Sequence, residues 1–252
     1  MSDGESGRIS PTLGLDLDHL MGAVPLRIRR NRRAKRLILR ADPATGGAVV
    51  TCPPWVSDAE ARAFAEKQEG WIRDRLAAAP AVVPFGDGIE IPFLGDPHLI
   101  RHRPDARGGV WIEPAGLPGD RPEIHVTGLA EHLPRRLGDW LKREARRRIM
   151  PKAAEAAAQL DVQFGRVTLR DTRSRWGSCA ANGNLSFSWR LVMAPERVLN
   201  YVVVHEVAHL REHNHGPRFW ALVETLIDDM ADCRNWLRDE GAALHMIGGT
   251  PD

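Results

Sequence analysis

The sequence predicts an α+β protein, with a mostly β N-terminal region followed by a helical domain that holds a small sheet. Three observations carry that expectation. Short alternating runs separated by Gly, Pro and Asp dominate to about residue 128, helical periodicity takes over from Pro134, and Leu185 to Leu191 returns to strict alternation.

Met1 to Thr12 is acidic, rich in Ser, Gly and Pro, and lacks the basic and apolar regions of a secretory signal, so residues 1–22 are expected to be a flexible tail. Val24 to Arg30, Lys35 to Ala41 and Ala48 to Cys52 read as strands, with Leu26 and Ile28 alternating against Arg27 and Arg29 and a turn at Gly46-Gly47. Ser57 and Glu60 form a capping-box pattern. They open a helix from about Asp58 to Ala79 whose Ala61, Phe64, Trp71, Ile72 and Leu76 can cover the sheet. Four more strands are expected at Ile89 to Phe93, His98 to His102, Val110 to Ile112 and Glu123 to Val126, completing a region 23–128.

From Pro134, Leu137, Trp140, Leu141, Ala145 and Ile149 recur at helical spacing, and Pro151 is expected to kink or restart the helix before the Ala-rich run to Leu160. This change sets a boundary near Gly128, a second domain over 129–246 and a short tail over 247–252. Val167 to Asp171 and Leu185 to Leu191 read as strands with the Asn182-Gly183 turn between them. Pro195 starts a helix to about His213, Pro217 starts another, and a last one lies around Asp232 to Arg238.

Composition excludes several classes. A chain of 252 residues with 43% hydrophobic and 27% charged residues is neither fibrous nor disordered. Its longest apolar run, Ala77 to Phe85, is broken by two prolines and falls far short of the roughly 20 residues that span a bilayer. Cys52, Cys179 and Cys233 are odd in number and widely spaced, which argues against a disulfide framework and for a reducing, cytoplasmic setting. The net charge of +2 hides two basic segments, Leu26 to Arg40 and Arg135 to Arg148, without which 20 basic residues face 31 acidic ones. A solvated strand face is the favoured reading of the Arg27–Arg40 arginines, and a nucleic-acid partner is the less favoured alternative.

The chemistry resides in His205-Glu206-Val207-Ala208-His209, an HExxH motif in an otherwise apolar helical stretch. Histidines four apart stand one turn above each other, so both imidazoles can reach one Zn²⁺ at about 2.0–2.1 Å. Glu206 lies one residue off that line, where it can accept a proton from zinc-bound water without being a ligand. A third ligand is required, and His215 and His213 are the nearby candidates. If the helix continues, His213 stands about 12 Å along the axis from His205. Asn214, Gly216 and Pro217 favour an exit from the helix that brings His215 back to the ion, so His215 is preferred over His213 or a distant carboxylate.

Tyr201 through Leu210, Asn214 through Trp220, Arg173-Ser-Arg-Trp-Gly-Ser-Cys179 and Asn184 through Leu191 together resemble the YgjP-like zinc metallopeptidases, relatives of the SprT-like and WLM peptidases. The resemblance implies a minimal gluzincin fold, one zinc per chain on His205, His209 and His215, Glu206 as catalytic base, and peptide or protein substrates. It admits as alternatives a DNA-associated protease or a non-catalytic zinc-stabilised module. Arg173 to Cys179 is expected either to line the cleft as an edge strand or to form a tight turn, with Trp176 packed and Gly177 in an unusual conformation. Cys179 is expected to be buried, and Tyr201 to pack.

Overall fold

A computed structural model describes residues 24–43, 45–117, 119–172 and 175–249; the tail expected at 1–22 and residues 250–252 of the tail expected at 247–252 lie outside them. These residues form three small sheets and seven α-helices, an α+β fold, in two compact units divided at Val82/Val83. No helix among them is long and apolar enough to cross a membrane.

The first unit contains β1 (Leu26–Arg30), β2 (Ile38–Asp42) and β3 (Gly47–Cys52) in the order β1-β3-β2, with β1 parallel and β2 antiparallel to β3. Alternation places Leu26, Ile28, Ala48, Val50 and Leu39 on the face covered by α1 (Asp58–Glu66) and α2 (Glu69–Ala77), through Ala61, Ala65 and Ile72. The Ser57 hydroxyl accepts from the Glu60 amide and the Glu60 carboxylate accepts from the Ser57 amide, the expected capping box. The single helix expected to Ala79 is two helices, because Gln68 leaves helical geometry (φ −109°, ψ 16°) just before the poor helix former Gly70.

The second unit opens with β4 (Glu90–Phe93), β5 (Asp96–Arg103), β6 (Val110–Glu113) and β7 (Glu123–Thr127), ordered β4-β5-β7-β6. Phe93 pairs with Asp96 across a two-residue turn in which Leu94 and Gly95 both take positive φ, and their amides donate to the Val192 and Met193 carbonyls. Helix α3 (Leu133–Gln159) lies in the same unit as this sheet, sharing one core with it, so the pattern change near Gly128 falls inside a compact unit. Pro151 does not end α3. It removes one ladder bond, but the buried stripe Ala145, Ile149, Ala153 and Ala156 spans the position and keeps both turns docked.

The third sheet, β8 (Val167–Arg170), β9 (Gly177–Cys179) and β10 (Leu185–Ser188), has the order β8-β10-β9. The Asn182-Gly183 turn therefore joins β9 to β10 rather than β8 to β10, which are parallel and cannot be linked by a tight turn. The strand expected to Leu191 stops at Ser188, and Trp189–Met193 winds into a buried 3₁₀ turn. In it Arg190 is buried, bidentate to Asp171 and donating to the Leu244 and Ile247 carbonyls. Ile247, expected in a tail, is itself buried and bridged to Val83. Helices α4 (Glu196–Ala208), α5 (Pro217–Glu224), α6 (Met230–Asp239) and α7 (Gly241–Leu244) complete the unit.

Candidate active site

Helix α4 is buried on nearly every side, through Val198, Leu199, Val202, Val203, Val207 and Ala208, so polar groups in its last turns are held rigidly and partly out of water. It ends at Ala208, five residues before the expected His213, and His209 is its C-cap. The amides of Arg211 and Glu212 both return to the Ala208 carbonyl, and Arg211 reaches the Leu160 carbonyl at 2.9 Å. The geometric case against His213, which assumed a continuing helix, therefore no longer applies. His213 is instead turned to a separate hollow with Asn182, Gly183 and Leu210.

The chain returns through Asn214 to His215 and re-enters a helix at Pro217, whose lack of an N–H is harmless at a first turn. Ring nitrogens of His205, His209 and His215 all lie within 4.8 Å of one another, and Nε2 of His205 is 3.0 Å from Nε2 of His215. Two nitrogens bound to one tetrahedral zinc are about 3.3 Å apart, so small ring rotations suffice for a shared ion. Nδ1 of His209 lies 3.1 Å from the Glu212 carbonyl, which orients that ring and leaves Nε2 for a metal. Phe219, fully buried, touches all three rings with centroids 4.4–4.9 Å away. The Trp220 indole donates to the His215 carbonyl at 3.1 Å and so fixes the returning segment.

The donor set suits a metal. Burial, with the neighbouring histidines, lowers the His205 pKa to about 4, and burial also lowers that of His209. Both are thus neutral at physiological pH, the form a metal-ligating imidazole requires. Nδ1 of His205 is buried without a hydrogen-bond partner among the described residues. Imidazole nitrogens are among the donors that zinc accepts.

Glu206 is buried and faces β9. Burial pushes its carboxyl up to about 7, while the Cys179 amide and the Arg175 charge act in the opposite direction. Gly177 does not have the unusual conformation expected, as its φ is not positive. It is glycine for lack of room: a Cβ there would lie 2.5 Å from Glu206 Cγ and 2.6 Å from Oε1. Cys179 is half-buried, and burial followed by the charge of Glu206 raises its thiol pKa. Arg175, Trp176, Gly177, Tyr201, Val202, His205, Glu206 and Leu237 line an open cleft of ≈ 200 Å³. Tyr201 is buried, as expected, although it also forms part of this wall.

The sequence reading missed Gly177 and Arg175 as partners of Glu206, and Phe219 as the packing element of the histidines. Only a glycine in a strand next to the motif could have hinted at the first.

The description "YgjP-like, metallopeptidase domain" is that of a family matching residues 35–240. No curated protein matches the chain. Among solved structures, that of the metallopeptidase zymogen of Methanocaldococcus jannaschii jannalysin is similar at 16% identity and a TM-score of 0.34, over 36% of this chain and 95% of that one.

Proposed function

The chain belongs to the YgjP-like metallopeptidase family, and from that premise we propose that it is a zinc-dependent peptidase of zincin-like fold. His205, His209 and His215 are its metal ligands and Glu206 its general base. The reading is supported chiefly by the convergence of three imidazoles beside a buried carboxylate at the end of α4. Zinc, when bound there, supplies an electrophile for the scissile carbonyl and acidifies water in the site.

The chain's own groups supply the rest. Glu206 accepts a proton from the attacking water and passes it to the leaving amine. A proton affinity raised toward about 7 suits both halves of that exchange at neutral pH. Cys179 N–H and Arg175 keep the carboxyl from remaining protonated. β9 is an edge strand, so its outer side is a strip on which an extended peptide or protein segment can pair. All the residues invoked fall within 129–246, the part of the second unit that we read as carrying the peptidase site. A zinc-stabilised module without catalysis would have no use for a carboxylate that resists burial as Glu206 does.

Metal analysis of the purified protein, combined with a peptide-library digest, tests this reading. The expected result is about one zinc per chain, cleavage by the natural protein, and a Glu206→Gln variant that keeps its metal and cleaves about a hundredfold or more slowly. A zinc-loaded natural protein that leaves the whole library intact would overturn it.

A further inference from the structure

The cleft beside His205 and Glu206 is bounded by cations. Residues 83–249 hold twenty-two Lys and Arg against twenty-two Asp and Glu, so the unit as a whole draws neither sign of charge. Locally the balance differs. Arg175 lines the cleft next to β9, is exposed, and its charge acts on Glu206. Arg234, also exposed, stands on α6 one turn before Leu237, another lining residue, and its charge acts on His205 and Tyr201, two more of them. Glu206 is the one acid among the lining residues.

Arg234 is held in place without an acid. The other arginines of α4 and α6 have acidic partners, Arg197 with Asp229 at 3.1 Å and Arg238 with Asp239 at 2.8 Å. Arg234 makes no ion pair or hydrogen bond among the described residues, and its guanidinium instead lies over the Trp220 ring, 4.8 Å from the centroid. Trp220 is itself fixed, since its indole donates to the His215 carbonyl and its ring lies 5.9 Å from that of His205. A guanidinium stacked on an aromatic ring keeps its in-plane N–H groups for a carboxylate. Fixed positive charge near a dication site weakens metal binding by repulsion, and an uncharged side chain could cover Trp220 without that penalty. An anion from the substrate offsets it.

We propose that Arg234, aided by Arg175, selects peptide segments with an acidic side chain next to the scissile bond, whose carboxylate the Arg234 guanidinium holds. The proposal rests on the peptidase reading and names its substrate class. Arg234 is in this role a specificity-determining residue and takes no part in bond cleavage. Trp176, Tyr201, Val202 and Leu237 give the cleft apolar walls, between which charge is screened less than in open water. A basic side chain would meet repulsion from both arginines, and a neutral one would leave Arg234 unused.

Two measurements on the full chain test it. The first is the cleavage profile of an end-blocked peptide library, in which Asp or Glu beside the cut bond should raise kcat/KM about five- to tenfold over Gln, with Lys poorest. The second does not depend on turnover: fluorescence anisotropy of a labelled, end-blocked decapeptide with two central Glu residues, titrated with the Glu206→Gln protein. Its Gln counterpart should bind about five- to tenfold more weakly, and the difference should shrink as salt rises from about 50 to 500 mM. In both assays Arg234→Gln should remove most of the acid preference, Arg234→Lys should keep part of it, and Arg234→Glu should turn it toward Lys. The unfolding midpoint of Arg234→Lys should match the parent's, because the exposed cation is kept. An acid preference that survives intact in Arg234→Gln and Arg234→Glu, or a profile indifferent to charge or favouring Lys, would overturn the proposal and leave the peptidase reading in place. If the zinc-loaded parent cleaves nothing, the peptidase reading fails by itself. Arg234-dependent binding of the Glu peptide then upholds the acid preference of the cleft, and its absence overturns that too.

Discussion

The two compact units solve opposite problems. The first buries six apolar residues under two short helices and carries its charge outside, on a solvated sheet face. The second has a continuous core running from Phe85 to Ile247, is neutral overall, and keeps Glu206 and Arg190 inside it. A small core has too little depth to desolvate an ionisable group, so its exposed charges act by attraction at the surface. A large core can hold a carboxylate away from water and so change its proton affinity. The proposed chemistry belongs to the second unit for that reason.

The contrast between the units is most exposed at the proposed metal ligands. His205→Ala or His209→Ala should remove most of the zinc and all hydrolysis. His215→Ala should weaken zinc binding by orders of magnitude, with His213→Ala mild in both assays. Full zinc occupancy in the His205→Ala/His209→Ala double variant would sink the site assignment.

Next in size is Glu206→Gln, which should lower turnover by about a hundredfold or more at unchanged metal content. Near-normal turnover would mean that another group is the base.

A matched pair of glycines sets one unit directly against the other. Gly177→Ala places a methyl against Glu206 and should reduce kcat roughly ten- to hundredfold by displacing the carboxylate. Gly70→Ala, with nothing within 4 Å of the added carbon, should leave activity unchanged and stabilise α2 by about 0.5–1 kcal/mol. Thermal melts and kinetics of the two variants, measured together, check both halves.

The smallest effect expected is on pH. Glu206 must be ionised to act as a base, so activity falls as pH drops through its pKa, at or below about 7 because a bound dication lowers it further. His205, with its pKa lowered to about 4, resists protonation and so retains metal until more acidic conditions. A kcat/KM profile flat from pH 8 to 5, with zinc retained throughout, would contradict the role of Glu206.

Much of this was legible in the sequence because it depends on spacing within a few residues. The capping box at Ser57, the alternation of Leu26 and Ile28 with arginines, the stripe along α3 and the one-turn separation of His205 and His209 all follow from local periodicity. Spacing also indicated that a break after the motif could return His215, although it placed the end of the helix five residues late. Beyond the end of α4 the Arg211 side chain reaches the Leu160 carbonyl at the end of α3, a contact between residues distant in the chain that no local pattern encodes.

Residue order alone singled out the groups proposed to do the chemistry: His205, Glu206 and His209, spaced by the helix repeat, and His215 beyond a helix break. How those groups behave was left to the folded chain. It set Gly177 and the Cys179 amide against Glu206, packed Phe219 among the three imidazoles, and paired β9 with β10. A pKa, a ring orientation and a strand partner are fixed by neighbours distant in the chain, which the core brings together only when it closes.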